Sequence, residues 1–316
     1  MKKYVVKRIL SLIPVLFIVS IVIFTLIHLT PGDPAAAMLG DQATEEAIAQ
    51  LREKLGLNDP LPLQYLHWIR DIFQGDLGTS LFIDGSMWSI LMGHMKPTLA
   101  LTTLALLFAV LFSVPLGIMA ARHRGTLIDQ TVSVISILGV SIPSFLLGLL
   151  LILGLAVGLK LLPAAGYKTV SGAGLWNHIR YLILPAISLG FIEAGLMIRM
   201  TRSAMLEVLS SDYIRMAKAK GVANRVIFNK HALKNALVQI ITVVGQSFMV
   251  LLGGATVTES VFNIPGIGKL TLNSVMRRDY EVVQAVVLLI SVTNVLVCLV
   301  VDLLYGLVDP RVRAND

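Results

Sequence analysis

The sequence predicts an all-α, polytopic membrane protein with six transmembrane helices and both termini on the cytoplasmic side. Of its 316 residues, 56% are hydrophobic and 14% are charged, and the mean hydropathy is +0.81. Soluble globular chains carry about 25% charged residues, so the composition excludes an ordinary soluble domain. The apolar residues form separate blocks of about 20 residues or more, the length that crosses a hydrocarbon core as a helix.

Hydropathy divides the chain into six spans and the segments that join them. In chain order, the predicted spans are residues 9–30, 97–121, 132–159, 181–201, 237–258 and 284–308. The first is longer than the apolar core of a signal peptide, so we expect it to be retained. The other segments are a cytoplasmic N-terminus (1–8), an outer loop (31–96), a five-helix core (97–308) with a cytoplasmic segment (202–236), and a cytoplasmic tail (309–316).

The distribution of basic residues sets the orientation. With the N-terminus in the cytoplasm, 16 of the 26 Lys and Arg residues lie in the inner segments or at their boundary, Arg199 included. Basic residues near the ends of spans favour the cytoplasmic side. The chain is therefore predicted to be N-in and C-in, and segment 202–236 faces the cytoplasm.

The outer loop 31–96 is the only extramembrane segment of any size. Its pattern predicts two short helices, 44–55 and 63–73, the first capped by Thr44 and stopped by Gly56. At about 65 residues with few large apolar side chains, the loop is expected to cover the membrane part rather than fold as a separate domain.

Glu193 is the one clearly internal acid that the predicted spans contain. Ionisable groups inside a span mark functional sites by default. Either Glu193 faces a protein-lined interior and pairs with a polar neighbour, or it lines a transport pathway. A proton-coupled pump usually needs a relay of such groups, and one carboxylate does not form a relay. Prolines such as Pro143 in these spans either break the helix beside a cavity or are tolerated as kinks.

No nucleotide, metal or cofactor site is predicted in this chain. The stretch NIPGIGKL at 263–270 resembles a phosphate loop, but Asn263 replaces its first glycine and Leu270 its Ser or Thr. It also lies on the outer side, where there is no ATP. The single cysteine excludes an internal disulfide framework. Histidines on the outer side are scattered rather than clustered at metal-ligand spacing: His67, His94 and His178.

The cytoplasmic stretch DYIRMAKAKG is basic and has helix signals at both ends. The polar run 210–212 can cap its start, and Gly221 can close it in the left-handed conformation. Residues 213–220 would then form a helix about 12 Å long, and Asn224 would cap the next helix. A basic loop that touches anionic lipid is the alternative. Defined ends favour a docking helix, because an electrostatic anchor needs none.

This stretch resembles the cytoplasmic EAA loop of ABC importer permeases, whose pattern is E-A-A-x3-G-x9-I-x-L-P. Arg215-Met216-Ala217 stand in the E-A-A places, Gly221 is kept, and His-Ala-Leu-Lys at 231–234 fills the last four places. The pattern lacks the family's Glu and Pro, and this variant is similar to the form in the peptide and nickel branch.

The rest of the chain is similar to the same branch. IPVLFIVSIVIFTLIHLTPGDPA resembles its first span and exit, and LGLNDPLPLQYLHWIRDIFQGDLGTSL resembles its outer loop. LLPAAGY is similar to its third-span exit, while ESVFNIPGIGKL and RRDYEVVQAVVLLI resemble its C-terminal third. The similarity runs from Val6 to Arg313.

The resemblance implies a type I importer permease fold and a coupling helix that docks on an ATPase subunit. Gly221 would let the segment turn tightly, and Ala217 would leave room for close docking. Basic side chains would face acidic patches on the ATPase: Arg215, Lys218 and Lys220.

The resemblance also implies the remaining machinery. A second, related permease, cytoplasmic ATPase subunits and an extracytoplasmic solute-binding protein would complete the importer in a bacterial inner membrane. ATP and Mg would bind the ATPase partners, and no nucleic acid is involved. The outer loop and loop 259–281 are candidates for receiving the binding protein.

The implied function is ATP-driven import of a small solute, with di- or oligopeptides first and glutathione or nickel as alternatives. A secondary transporter would work without nucleotide and would place more ionisable groups in its spans. A membrane-embedded enzyme would need a convergent acid, nucleophile or metal cluster, and the sequence predicts none. The family does not fix the substrate, because much of the selection lies in the binding protein.

Overall fold

The computed structural model describes residues 2–28, 35–36, 44–54, 56–80 and 82–308, and within these ranges it contains helices and no strand. Five helices are long and apolar enough to cross a membrane, and a bent helix pair supplies the sixth crossing. This agrees with the predicted all-α, six-span class. The predicted cytoplasmic tail 309–316 lies outside the described residues.

Twelve helices carry the described part of the chain. They are α1 (Lys2–His28), α2 (Glu45–Lys54), α3 (Leu61–Phe73), α4 (Met87–Arg122), α5 (Leu127–Ser141), α6 (Ser144–Leu151), α7 (Val170–Leu209), α8 (Asp212–Ala219), α9 (Leu233–Gly254), α10 (Thr256–Val261), α11 (Ile267–Met276) and α12 (Tyr280–Val308). Two π-helical segments extend them. Ile152–Gly158 continues α6, and Ile227–Ala232 follows the short turn Asn224–Val226 and leads into α9.

Two spanning helices begin about ten residues before the predicted spans. Helix α4 begins at Met87, where the Ser86 hydroxyl accepts the backbone N–H of Ser89 at 3.3 Å. Helix α7 begins at Val170 and breaks at Gly174, which has φ 79°. Hydropathy marks only the continuous apolar part of a helix, so the caps and the first turns of mixed composition were missed.

The third predicted span is not one straight helix. Helices α5 and α6 meet at an angle of 100°, with Ile142 extended (ψ 119°) and Pro143 preceding α6. Proline pushes the residue before it out of the helical region, which permits a break at this point. Of the two interpretations of Pro143, the broken helix is therefore correct.

Helix α7 lies at the centre of the bundle and packs against α4, α5, α6 and α9. Small residues allow close backbone approach. A Cβ at Gly190 would lie 2.5 Å from the Ala105 carbonyl of α4, and one at Gly195 would lie 2.6 Å from the Ser136 carbonyl of α5. The Ser136 hydroxyl also donates to the Gly195 carbonyl at 2.6 Å. Helices α4, α5 and α7 thus form one tightly packed unit.

Two apolar clusters hold the ends of this unit. The outer cluster joins α4, α7, α9 and the segment after α10, with members that include Leu101, Leu182, Leu251, Phe262 and Ile264. The inner cluster joins α4, α7 and the start of α9, with members that include Ala121, Met205, Ala232, Ala236 and Ile240. Through the inner cluster, the cytoplasmic segment between α7 and α9 packs against the membrane helices.

Two short helices occupy the outer loop, as predicted. The Thr44 hydroxyl accepts the N–H of Ala47 at 3.3 Å, so Thr44 caps α2. Gly56 after α2 has φ +65° and Gly75 after α3 has φ +85°, the left-handed values at which glycine ends a helix.

Candidate functional site: the cytoplasmic turn and the buried acids

The basic stretch between α7 and α9 contains a helix, α8 (Asp212–Ala219). It lies one residue earlier than the predicted 213–220. Gly221 has φ +76°, the N–H of Val222 donates to the Ala217 carbonyl at 3.1 Å, and the N–H of Gly221 donates to the Lys218 carbonyl at 3.0 Å. These two bonds form a Schellman C-cap. The predicted closure at Gly221 is confirmed.

The polar residues around α8 do not cap it with their side chains. The hydroxyls of Ser210 and Ser211 donate back to the Glu207 and Val208 carbonyls at 2.7 and 2.6 Å, so they close the end of α7 instead. Asn224 is the first residue of the next helical turn, which Ala223 precedes. The predicted side-chain caps were wrong, because serine hydroxyls also bond carbonyls of the preceding turn.

One face of α8 is fixed to the rest of the chain. Ile214 is fully buried, and α8 contacts the π-helical segment Ile227–Ala232. The side-chain amide of Asn235 donates to the Tyr213 hydroxyl at 2.6 Å. Helix α8 is therefore attached to both the end of α7 and the start of α9.

The opposite face of α8 is exposed and basic. Arg215 forms an ion pair with Asp212 at 3.3 Å, and Lys218, Lys220 and Gly221 are exposed. Ala217 is half-buried and lies three residues after Ile214, on the side that faces the chain itself. Four of the five predicted coupling residues thus lie on the open surface, and Ala217 lies at its edge.

Glu193 is buried on α7, near the contact with α9. Its Oε2 atom has no hydrogen-bond partner among the described residues, and neither has the hydroxyl of Ser247. Ser247 on α9 lies close enough to interact with the carboxyl group. A buried position next to a polar neighbour is what the first of the two sequence interpretations of Glu193 describes, and the pathway role stays a prediction.

Glu259 is a buried acid that the sequence analysis did not consider. It is fully buried on α10. The Thr98 hydroxyl donates to its Oε1 at 2.6 Å, and the Lys269 N–H donates to its Oε2 at 2.9 Å. The Gly268 N–H also bonds the carboxylate. Burial raises the pKa of Glu259, and these hydrogen bonds act in the opposite direction.

Glu259 occupies the anion site that the phosphate-loop-like stretch forms. The N–H groups in the first turn of a helix attract anions. In α11, those of Gly268 and Lys269 bind Glu259, and that of Ile267 donates to the Thr98 hydroxyl at 2.8 Å. Gly266 is required beside them, because a Cβ at that position would collide with the Glu259 carboxylate. The loop therefore binds an internal carboxylate.

Acids outside the predicted spans are buried as well. Asp129 on α5 accepts both Nε and Nη2 of Arg202 on α7, at 2.6 and 2.8 Å, and the N–H of Gly125 at 2.9 Å. Asp279 is buried beside Ser80, whose hydroxyl donates to it at 2.5 Å. These acids lie near the ends of the predicted spans, where hydropathy does not separate buried side chains from solvated ones.

Comparison with known proteins decides the family. Residues 113–314 match the family described as "Binding-protein-dependent transport system inner membrane component", and residues 1–102 match its N-terminal companion family. The chain belongs to this family. It is a permease subunit of an ABC importer and is itself non-catalytic, since ATP hydrolysis belongs to the partner ATPase. ATPase subunits and a binding protein are the partners of such a permease, which is a multi-pass membrane protein.

Relatives match over nearly the whole length of this permease. A probable peptide ABC transporter permease protein, y4tP, of Sinorhizobium fredii is 42% identical over 311 residues, which cover 98% of this chain and 99% of the relative. The glutathione transport system permease protein GsiC of Salmonella choleraesuis is 43% identical, and GsiC of Escherichia coli (strain K12) is 42% identical. Each covers 99% of both chains.

A solved structure supports the type I importer fold. The chain is similar to one from the inward-facing MetNI methionine ABC transporter, with a TM-score of 0.58 and 21% sequence identity. The match covers 72% of this permease and 100% of that chain.

Proposed function

We propose that this permease imports di- or oligopeptides handed over by an extracytoplasmic binding protein. The relative named as a probable peptide permease supports this substrate class, because it matches almost the whole chain. Glutathione is the second candidate, and the relatives named GsiC favour it. Glutathione is itself a small peptide, so both candidate substrates require the same kind of pathway.

The observation that carries the proposed mechanism is the exposed, doubly anchored helix α8 between α7 and α9. A rigid contact with the ATPase at α8 moves α7 and α9 together, since Ile214 is buried and Tyr213 is bonded to Asn235. Helix α7 in turn carries α4 and α5 with it. ATP-driven closure of the ATPase dimer is thereby transmitted to the membrane helices.

The contacts at this docking surface follow from its chemistry. Arg215, Lys218 and Lys220 face acidic patches on the ATPase, and the tight turn at Gly221 brings the two surfaces together. Ala217 has a small side chain, which leaves room for the ATPase to dock closely on α8. Neither nucleotide nor metal binds this chain, and ATP and Mg bind the ATPase partners.

Glu193 is proposed to line the pathway. Its carboxyl group is buried at the α7–α9 contact, and its Oε2 atom and the Ser247 hydroxyl lack partners among the described residues. A buried polar group without a partner costs free energy, which a passing ammonium or amide group of a peptide would offset.

A second, homologous permease is proposed to complete the pathway in a bacterial inner membrane. The two-permease form of the branch that this sequence resembles supports it, and the family description supports the inner membrane. The binding protein docks on the outer surface formed by loops 31–96 and 259–281.

Uptake by the reconstituted importer tests this function. The permease is co-purified with its second permease and ATPase subunits, placed in proteoliposomes, and supplied with the binding protein. Labelled dipeptide, tetrapeptide and glutathione are then compared with and without ATP inside the vesicles. We expect ATP-dependent uptake of at least one peptide, at least tenfold above vesicles without ATP.

The controls separate the alternatives. Uptake of glutathione alone would replace the peptide proposal with the second candidate. Uptake that proceeds without ATP and follows an ion gradient would contradict an ATP-driven importer and favour a secondary transporter.

A further inference from the structure

Helix α3 lies in the outer loop, and the rest of the protein covers only part of its apolar side. Apolar side chains occupy one broad side of the helix. The polar side chains lie together on the other side: Gln64, His67 and Asp71. All of α3 is described, yet none of its residues is fully buried. An amphipathic helix without a buried residue requires a second apolar environment.

One flank of the apolar side packs on the outer end of α1. The rings of Tyr65 and Phe24 are 5.4 Å apart in an edge-to-face arrangement, and Trp68 lies 5.9 Å from Phe24. The hydroxyls of Tyr65 and Ser20 are hydrogen-bonded at 2.8 Å. These contacts fix α3 against a helix that crosses the membrane.

The other flank is open. Phe73 is 86% exposed and Leu66 is 60% exposed. They lie seven residues apart and therefore share a face, about 110° or more around the helix from the side that touches α1. No charged residue lies between them on that face, and Arg70 stands at its border with the polar side.

The contacts with α1 give the depth of α3. The apolar residues of α1 continue to Ile27, with His28 next, so Ser20, which bonds Tyr65, lies about 10 Å below their end at 1.5 Å per residue. Interfacial helices bury their apolar face about 5–10 Å into the boundary between headgroups and acyl chains. The contact with Ser20 sets α3 at this depth.

A tryptophan fixes the end of α3. Trp88 at the start of α4 donates its indole N–H to the Gly75 carbonyl at 3.1 Å, which fixes the end of α3. Trp68 and the exposed Trp176 complete the three tryptophans of the chain, all on its outer side. Tryptophan is enriched where a membrane meets water.

We propose that α3 is an interfacial helix that lies in the outer leaflet, with Leu66 and Phe73 inserted among the acyl chains of phospholipids. Its polar side faces water, and Arg70 reaches the phosphate groups at the border. The bilayer is the occupant, because the open flank continues from the lipid-crossing helix α1. The landing surface of the binding protein then excludes this flank of α3.

Site-directed spin labelling tests the proposal. In the complete importer, the native Cys298 is replaced by alanine, and single cysteines are placed at Leu66 and Phe73, with His67 and Asp71 as matched controls on the polar side. Nitroxide-labelled samples in vesicles of phosphatidylcholine and phosphatidylglycerol are exposed to oxygen, which concentrates in lipid, or to a water-soluble nickel chelate. Only variants that retain ATP-driven uptake are compared, and Ile69 replaces Phe73 if that cysteine prevents assembly.

We expect oxygen accessibility to exceed nickel accessibility severalfold at Leu66 and Phe73, and the order to reverse at His67 and Asp71. Equal access of the nickel chelate to all four positions would overturn the proposal, because α3 would then lie in water. Exclusion of both reagents from Leu66 and Phe73 would also overturn it, since a protein would cover them. If this exclusion appears only after the binding protein is added, that protein is the occupant.

Discussion

At the scale of single residues, Glu259 shows how a buried charge organises a loop. Its carboxylate accepts the N–H of Lys269 and the hydroxyl of Thr98, so three elements, α4, α10 and α11, meet at one side chain. Gly266 leaves the space that this carboxylate fills. Glu193 differs in that one of its oxygens has no partner among the described residues.

Replacing Glu259 with alanine is expected to destabilise the outer part of the permease by about 3 kcal/mol, because buried N–H groups and the Thr98 hydroxyl lose a charged partner. Glu259→Gln keeps one acceptor oxygen and should cost less. Thermal unfolding in detergent measures both. The exposed Glu53 on α2 supplies the control, since Glu53→Ala should leave the unfolding temperature unchanged. Equal stability of Glu259→Ala and Glu53→Ala would contradict the assigned role.

Replacing Glu193 with glutamine is expected to change transport without disturbing assembly with the ATPase. Glutamine preserves the volume and removes the charge that a passing peptide would meet. ATP-driven uptake is measured at matched membrane levels, with Glu207→Gln on the exposed end of the same helix as the control. Wild-type uptake in a normally assembled Glu193→Gln variant would contradict a pathway role and assign Glu193 a structural one.

At the scale of elements, α8 is a short helix whose position depends on its neighbours. A free helix of eight residues is unstable in water, so α8 depends on the buried Ile214, the bond from Asn235 to Tyr213 and the closing turn at Gly221. Of these three features, only the turn lies on the side that is proposed to meet the ATPase. A change at Gly221 therefore affects docking more than the membrane core.

Replacing Gly221 with valine is expected to leave insertion and membrane level near normal while uptake falls sharply. A β-branched residue at φ +76° carries strain of about 1–3 kcal/mol. No atom of the chain lies within 4 Å of the added Cβ, so further harm comes from the surface that docks there. ATPase co-purification and substrate-stimulated ATP hydrolysis should fall with uptake.

Gly125 provides the matched control for Gly221. It has φ +80°, lies on the same side of the membrane and also has open space around it. Gly125→Val should therefore carry similar strain with a smaller loss of coupling. Neutralising Lys218 and Lys220 should have a mild effect, because exposed ion pairs contribute little. If the segment were only a charge anchor, the lysine variants would be impaired and Gly221→Val would be silent.

At the scale of the whole molecule, the cytoplasmic and outer faces of the permease carry different structural features. The cytoplasmic face carries the docking helix and the clamp between Asp129 and Arg202, which ties α5 to α7. The outer face carries the α10–α11 elbow around Glu259 and the helices of the outer loop. The Gly-mediated packing of α7 on α4 and α5 connects the two faces. Movement at α8 is therefore expected to reach the outer face through α7.

The isolated permease is expected neither to bind nor to hydrolyse ATP. The loop that resembles a phosphate loop lies on the outer side, and Glu259 already occupies its helix N-terminus. Binding of a fluorescent ATP analogue and phosphate release are measured on the purified chain, with the assembled importer as the positive control. Saturable binding to the isolated chain would contradict this expectation.

The sequence by itself determined the class, the number of spans, the two outer helices and the closure of α8. These features depend on composition, on periodicity and on single residues such as Gly56 and Gly221, whose physical effect is local. Helix starts were less well predicted, since the first turns of α4 and α7 have a mixed composition that gives no clear hydropathy signal.

Only the tertiary structure decided which polar groups meet. Glu259 is separated from Thr98 by 161 residues, and Asp129 from Arg202 by 73. No local pattern encodes such pairs, because they arise when packed helices bring distant carboxylates to their partners. The sharp bend at Pro143 depends partly on the sequence and partly on the tertiary structure. Proline permits a break at that point, but the packing of α5 and α6 against α7 decided that the third span is broken by 100°.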